Sequence, residues 1–177
     1  MLFRSDLFSG TDSWYTRKLL DHAATLTDAQ LDQPVPSNAR VFGWEQPDQN
    51  VREILERLVI TKEVWAAALL GKPMPPMENV PLELRTPQAL RDRFERVDGD
   101  FHQALSEIRD RNAWDETWVD ALCEPPETFT FGGMFAHIIT QNTQRRLHAL
   151  DAFHRIGVPM SGMGDPMEWE AEQRKGA

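Results

Sequence analysis

The chain has 177 residues, of which 41% are hydrophobic, and a formal net charge of −9 at pH 7. A chain of this length fits one domain with an ample core, and its acidic balance disfavours a nucleic-acid partner because phosphate backbones repel it. No apolar run approaches the roughly 20 residues that a membrane-spanning helix needs. Acidic residues also interrupt the N-terminal segment where a secretory signal would be apolar. Composition therefore predicts a cytoplasmic protein with neither a membrane nor a nucleic-acid partner.

The first helical pattern covers residues 13–33. Its apolar residues recur at three-to-four spacing, with a cap or restart at Thr27 and a stop at Pro34. A loop over 35–49 follows.

Cys123 is the single cysteine, which excludes an internal disulfide and a multi-cysteine metal site.

Two further helices have clear start signals. Asn50, with Glu53 three residues later, is typical of a helix N-terminus, and the apolar spacing then continues to Gly71. After a proline-rich crossover, Thr86 and Pro87 predict the cap and first residue of a third helix. Its nearly heptad apolar repeat includes Phe94 and Phe101, which mark the predicted core face.

The fourth helix is predicted within residues 128–157, after a long link in which Thr128–Phe131 can form a short extended piece. No strand-like alternation of convincing length and no internal repeat is present, so the pattern favours an all-α four-helix bundle with long crossover loops. The bundle is predicted over 1–157. Residues 158–177 form a tail in which Asp165 and Pro166 can start a short helix.

Polar residues interrupt the inward side of the fourth helix. On a helical wheel, Arg145 falls inside the apolar sector that contains Ile138, while Gln141 lies at its edge beside His137 and His148. A buried guanidinium is costly unless it is paired and hydrogen-bonded. Either a carboxylate on a facing helix pairs with Arg145, or these residues border a pocket that receives a ligand.

With the helices placed, three phrases resemble the DinB/YfiT-like superfamily of four-helix bundles. They are VREILERLVITKEVWAAALLG in the second helix, GGMFAHIITQNTQRRLHAL in the fourth, and LTDAQLDQP at the end of the first. The resemblance spans roughly residues 13–157. It implies a four-helix bundle, often a homodimer, in a superfamily where some members are metal-dependent and some are thiol-dependent enzymes.

In the metal-binding members of that superfamily, one residue of the second helix and two residues four apart on the fourth hold a divalent ion. The resemblance places these positions at Arg57, Gln141 and Arg145. Arginine is always protonated and offers no lone pair, and an amide oxygen is a weak ligand beside imidazole or carboxylate. The usual metal site is therefore expected to be missing, with no cofactor in its place.

Three functional hypotheses stay open. In the first, the protein binds a small anionic molecule, because arginine grips carboxylate or phosphate through paired hydrogen bonds. The cavity candidates of this hypothesis are Arg57, Gln141, Arg145, His137, Glu63 and His22. In the second, the protein is a hydrolase or a thiol S-transferase whose relocated divalent metal, such as zinc or nickel, is held by His22, His137 and a carboxylate. In the third, it is a structural dimer with no ligand.

The two arginines are also consistent with an interpretation that needs no ligand. In that alternative, Arg57 and Arg145 form ion pairs with carboxylates of neighbouring helices. The expected partners are Glu63, Glu56 and Asp21.

Overall fold

The computed structural model describes residues 5–35, 49–76, 80–121 and 123–175. These residues form six α-helices, a short 3₁₀ helix and one two-stranded antiparallel hairpin. In chain order the elements are α1 (Ser5–Ala23), α2 (Asp28–Leu31), α3 (Val51–Leu70), the 3₁₀ helix (Leu82–Leu84), α4 (Pro87–Asp110), β1 (Thr117–Asp120), β2 (Glu127–Thr130), α5 (Phe131–Arg155) and α6 (Pro166–Lys175). The predicted all-α fold is confirmed, with α1, α3, α4 and α5 as the bundle.

Two ion pairs at opposite ends of α1 show the direction of α4. Asp6 pairs with Arg109 at 3.1 Å, and Asp21 pairs with Arg91 at 2.9 Å, so the two helices are antiparallel. The core shows the direction of α5 in turn, since the first half of α3 shares a hydrophobic cluster with the second half of α5. The end of α3 shares a second cluster with the start of α5. Helices α3 and α5 are therefore antiparallel.

The larger cluster contains residues of α1, α2, α3, α4 and α5, and the smaller cluster lies around Phe101, Phe135 and Ile138. Phe94 and Phe101 are 1% and 0% exposed, as the heptad spacing predicts.

Local sequence signals account for the helix boundaries. The Asn50 side chain accepts a hydrogen bond from the Glu53 amide at 2.9 Å, and α3 ends at Gly71, whose φ of 63° suits a residue without a side chain. Thr86 caps α4, with Pro87 as its first residue. The predicted starts of these two helices are confirmed.

The sequence prediction was wrong in two places. The first helix begins at Ser5 rather than at residue 13, although the predicted restart at Thr27 is confirmed, because α1 ends at Ala23 and Thr27 caps the separate α2. The link before α5 contains the β1–β2 hairpin, of which only the extended segment near Thr128 was anticipated. Strands of four residues are too short to show a convincing alternation. Most of the predicted loop over 35–49 lies outside the described residues.

The C-terminal tail packs along α1. The Tyr15 hydroxyl donates to the Gly162 carbonyl at 2.7 Å, and the Trp169 ring lies so close to Gly10 that an added Cβ would come within 2.7 Å of it. The predicted short helix after Asp165 is confirmed as α6. Within the described residues, no helix combines the length and apolar character needed to cross a bilayer.

Candidate functional site

Helix α5 carries two neighbouring pairs of buried polar residues. Asn142 and Arg146 contact α1 and are called here the α1-facing pair. Gln141 contacts α3, and Arg145 lies one turn later on the same side, so these two are called the α3-facing pair. All four are at most 4% exposed. Polar groups buried this deeply need hydrogen-bond partners, which differ between the two pairs.

The α1-facing pair belongs to a buried charge network formed by Asp12, Lys62, Asp98, Asn142 and Arg146. Arg146 pairs with Oδ1 of Asp12, while Asn142 donates to Oδ2 of the same carboxylate at 3.2 Å. The Lys62 ammonium from α3 donates to Asp12 at 2.8 Å and to Asp98 of α4 at 2.5 Å. All four bundle helices therefore meet in one set of paired charges.

The network extends to the surface between α1 and α4. Ser13 donates to Asp98 at 2.6 Å, and Arg17 donates to the other oxygen of that carboxylate at 2.6 Å. The His102 Nε2 atom lies 3.1 Å from the Ser13 hydroxyl. These contacts complete the hydrogen bonding of Asp98.

Electrostatics keep both carboxylates ionised. Burial by itself would raise the pKa of Asp12, but the charges of Lys62 and Arg146 outweigh burial and lower that pKa below its ordinary value. Burial likewise opposes ionisation of Asp98, whose pKa is nevertheless lowered, mainly by Lys62 and by the Ser13 hydrogen bond. The network is thus an arrangement of fixed, compensated charges.

Gln141 of the α3-facing pair has neutral hydrogen-bond partners. The Trp65 indole nitrogen donates to Oε1 of Gln141 at 3.1 Å, and Nε2 of Gln141 is hydrogen-bonded to Nε2 of His137. The Trp65 and His137 rings also meet edge to face with centroids 5.5 Å apart. His137 is exposed on the helix surface, yet partial burial of its ring lowers its pKa despite the opposing charge of Asp120. This series of side chains leads from the core to solvent.

A scan against family models matches the chain to the DinB superfamily over residues 13–149, which include all of α3 and α4 and most of α1 and α5. The chain belongs to the DinB superfamily. Comparisons with curated proteins and with solved structures gave no significant match.

The three positions that the resemblance equates with the DinB metal ligands do not fit a divalent cation in this chain. Arg57 and Arg145 offer no lone pair, and the oxygen of Gln141 already accepts the Trp65 N–H. Within the described ranges, no group of three or more histidine, cysteine or acidic side chains is arranged to hold a metal ion.

The structure separates the six candidate residues of this DinB chain. Gln141, Arg145 and His137 share one side of α5, and Arg57 is half-buried on the half of α3 that packs against the end of α5. Glu63 does not join them, because it binds Arg93 of α4 at 2.5 Å.

His22 is also misplaced by the sequence reasoning. Its Nε2 atom lies 2.9 Å from the Val158 carbonyl oxygen, and its ring packs on Phe153. Phe153 follows His137 by sixteen residues, or about 24 Å, along α5. The proposed relocated metal site of His22 and His137 is therefore not formed, because the two imidazoles lie at opposite ends of the helix.

The carboxylates expected to pair with Arg57 and Arg145 bind other arginines. Each forms a close ion pair, in the combinations Glu63 with Arg93, Glu56 with Arg85, and Asp21 with Arg91. A surface depression of about 560 Å³ lies between α2, with the turn before it, and the start of α4, and none of the six candidates lines it.

The sequence reasoning missed the buried charge network. A signal for part of it was present, because Lys62 stands four residues after Leu58 and four before Ala66, inside the apolar repeat of α3. Asp98 likewise follows Phe94 by four residues. A charge that interrupts an apolar repeat at this spacing lies on the buried face. Asp12 had no comparable signal, since apolar spacing was recognised only from residue 13 onwards.

Proposed function

We propose that this DinB-superfamily protein binds a small anionic molecule beside the α3-facing pair of α5, without a metal cofactor. The observation that carries the proposal is the set of side chains at the positions of the family's metal ligands, where two guanidiniums and one amide replace ligating groups. Gln141 and Arg145 are buried side by side at 4% and 2% exposure. A carboxylate or phosphate satisfies guanidinium and amide donors alike.

The electrostatic surroundings favour an anion. Two acidic residues of α3, Glu56 and Glu63, are each paired with an arginine of another segment. The lowered pKa of His137 keeps this exposed ring neutral at pH 7, so that it adds no charge of either sign. An anion here would carry the charge opposite to that of the two guanidiniums.

Thermal unfolding with added inorganic phosphate or acetate tests the proposal. A ligand that binds only the folded state stabilises it by about 2.7 kcal/mol at a concentration 100 times its Kd. We expect Arg145→Gln to abolish the anion-induced shift. Arg155→Gln is the matched control, because Arg155 lies on the same helix, is half-exposed, and pairs with Asp151 one turn away.

Arg57→Gln repeats the test at the half-buried arginine if Arg145→Gln fails to fold. Equal shifts in the wild type and in these variants would contradict the proposed site. The absence of any shift in the wild type would favour the structural dimer instead.

Metal analysis separates this proposal from the enzyme alternative. The purified, untagged protein is offered zinc, nickel, manganese and iron in turn and then dialysed. We expect no stoichiometric ion. An ion that is retained, and then lost on His137→Ala, would overturn the metal-free proposal and favour the hydrolase or thiol S-transferase. The homodimer and the cytoplasmic location stay predictions.

A further inference from the structure

The hydrogen-bond chain from Trp65 through Gln141 to His137 has a direction. An indole N–H can only donate, so the atom of Gln141 that faces Trp65 must be its oxygen, 3.1 Å from the indole nitrogen. The amide nitrogen then faces His137. Trp65 therefore determines which end of the Gln141 amide points away from α3.

The same logic determines the tautomer of His137. The nitrogen of the Gln141 amide can only donate, so Nε2 of His137 must accept the hydrogen bond and carry no proton. The ring proton of the neutral imidazole is then on Nδ1. A protonated ring would present a donor to another donor, which agrees with the lowered pKa of His137.

We propose that Trp65 is a positioning residue that makes Gln141 a hydrogen-bond donor for the anion and keeps its oxygen from binding cations. This inference rests on the proposed function and deepens it. Gln141 has two amide hydrogens, of which His137 takes one. The second adds to the guanidinium donors of Arg145, one turn further along the same side of α5. The group recognised is then one that only accepts hydrogen bonds, such as a carboxylate or a phosphate.

The ¹⁵N NMR spectrum of histidine-labelled protein at neutral pH tests the direction of the chain. We expect His137 to be the Nδ1–H tautomer in the wild type. In Trp65→Phe the indole donor is lost, the amide can rotate, and a mixture of tautomers should appear. Trp114→Phe is the control, because Trp114 packs in the same hydrophobic cluster against Phe135. A wild-type His137 with its proton on Nε2 would overturn the inference whether or not an anion binds.

Titration with inorganic phosphate tests the positioning role. Loss of one hydrogen bond in Trp65→Phe should weaken phosphate binding by roughly 2- to 10-fold, while Trp114→Phe should bind as the wild type does. Unchanged binding in Trp65→Phe would overturn the positioning role and leave the proposed function standing.

Gln141→Glu supplies a second variant of nearly the same shape. Its carboxylate still accepts the Trp65 N–H but cannot donate, so the proton of His137 should move to Nε2 and phosphate binding should be lost. Retained binding in this variant would overturn the inference. If the wild type itself binds no phosphate or acetate, the proposed function and the donor role of Gln141 both fail, while the tautomer still reports on the hydrogen-bond chain.

Discussion

The two polar pairs of α5 are one residue apart in sequence and have contrasting surroundings. The α1-facing pair joins carboxylates that are 0% and 2% exposed and that receive donors from α1, α3 and α5. The α3-facing pair adjoins a neutral hydrogen-bond chain that ends at the exposed His137. Ion pairing that joins all four bundle helices through buried carboxylates indicates a structural role. The uncharged hydrogen-bond chain on the α3 side is not tied into such ion pairs, which is the reason for proposing the ligand site there.

The largest effect should come from removing the carboxylate at the centre of the α1-facing side. Asp12→Ala removes the carboxylate that pairs with Arg146 and one of the two carboxylates that pair with Lys62. Breaking a buried ion pair in this way costs about 3–5 kcal/mol of stability. The free energy of unfolding in urea measures the loss. Asp21→Ala is the control, because it removes an exposed ion pair worth at most about 1 kcal/mol. Equal losses in the two variants would break the contrast.

Acid should destabilise the protein through the same network. The pKa values of Asp12 and Asp98 are lowered in the folded state, so the unfolded chain takes up protons first as the pH falls. Their contribution to stability is complete above the ordinary carboxyl pKa of about 3.9 and is lost as the pH falls through the folded values.

Urea unfolding between pH 5 and pH 2 measures this loss, with a slope of at most about 1.4 kcal/mol per pH unit for each carboxylate. Asp12→Asn should have a shallower slope than the wild type. An identical slope would show that Asp12 does not contribute to acid sensitivity.

Two neighbouring amides give the smallest and most direct comparison. Asn142→Leu removes a fully buried donor to Asp12 and should cost about 1–3 kcal/mol. Gln141→Leu removes hydrogen bonds to Trp65 and His137, which water can partly replace because both rings reach the surface, so its cost should be below about 1 kcal/mol. Urea unfolding of both variants under one condition measures the difference. A larger cost for Gln141→Leu would reverse the assignment of structural and functional sides.

Much of the fold could be predicted because its signals are local. The caps of α3 and α4 and the apolar spacing within them depend on residues three or four apart. The restart at Thr27 is also a local signal, whereas the start of α1 at Ser5 was missed because the buried residues of its first turns, such as Ser9 and Asp12, are polar. The hairpin was missed because each of its strands has only four residues and is stabilised by pairing with the other strand rather than by a local sequence signal.

The candidate site was predicted in part. The wheel placed Arg145 inward and Gln141 near it, and both are buried. It did not reveal that Arg146 is also buried, because that residue lies 100° away and faces a carboxylate of α1 rather than apolar neighbours. His22 and Glu63 were assigned to the site on residue type alone. The relative positions of α1, α3 and α5 direct them elsewhere.

The sequence by itself determined the helical class, the limits of α3 and α4, and the inward side of α5, because periodicity and capping act within one helix. Only the tertiary structure decided which charges are compensated and which polar groups lead to solvent. Those outcomes depend on how each helix is rotated about its axis relative to its neighbours. A rotation of α5 by 100° would bring Asn142 to the position that Gln141 occupies. That rotation separates the hydrogen-bond chain of Trp65 from the buried carboxylate of Asp12.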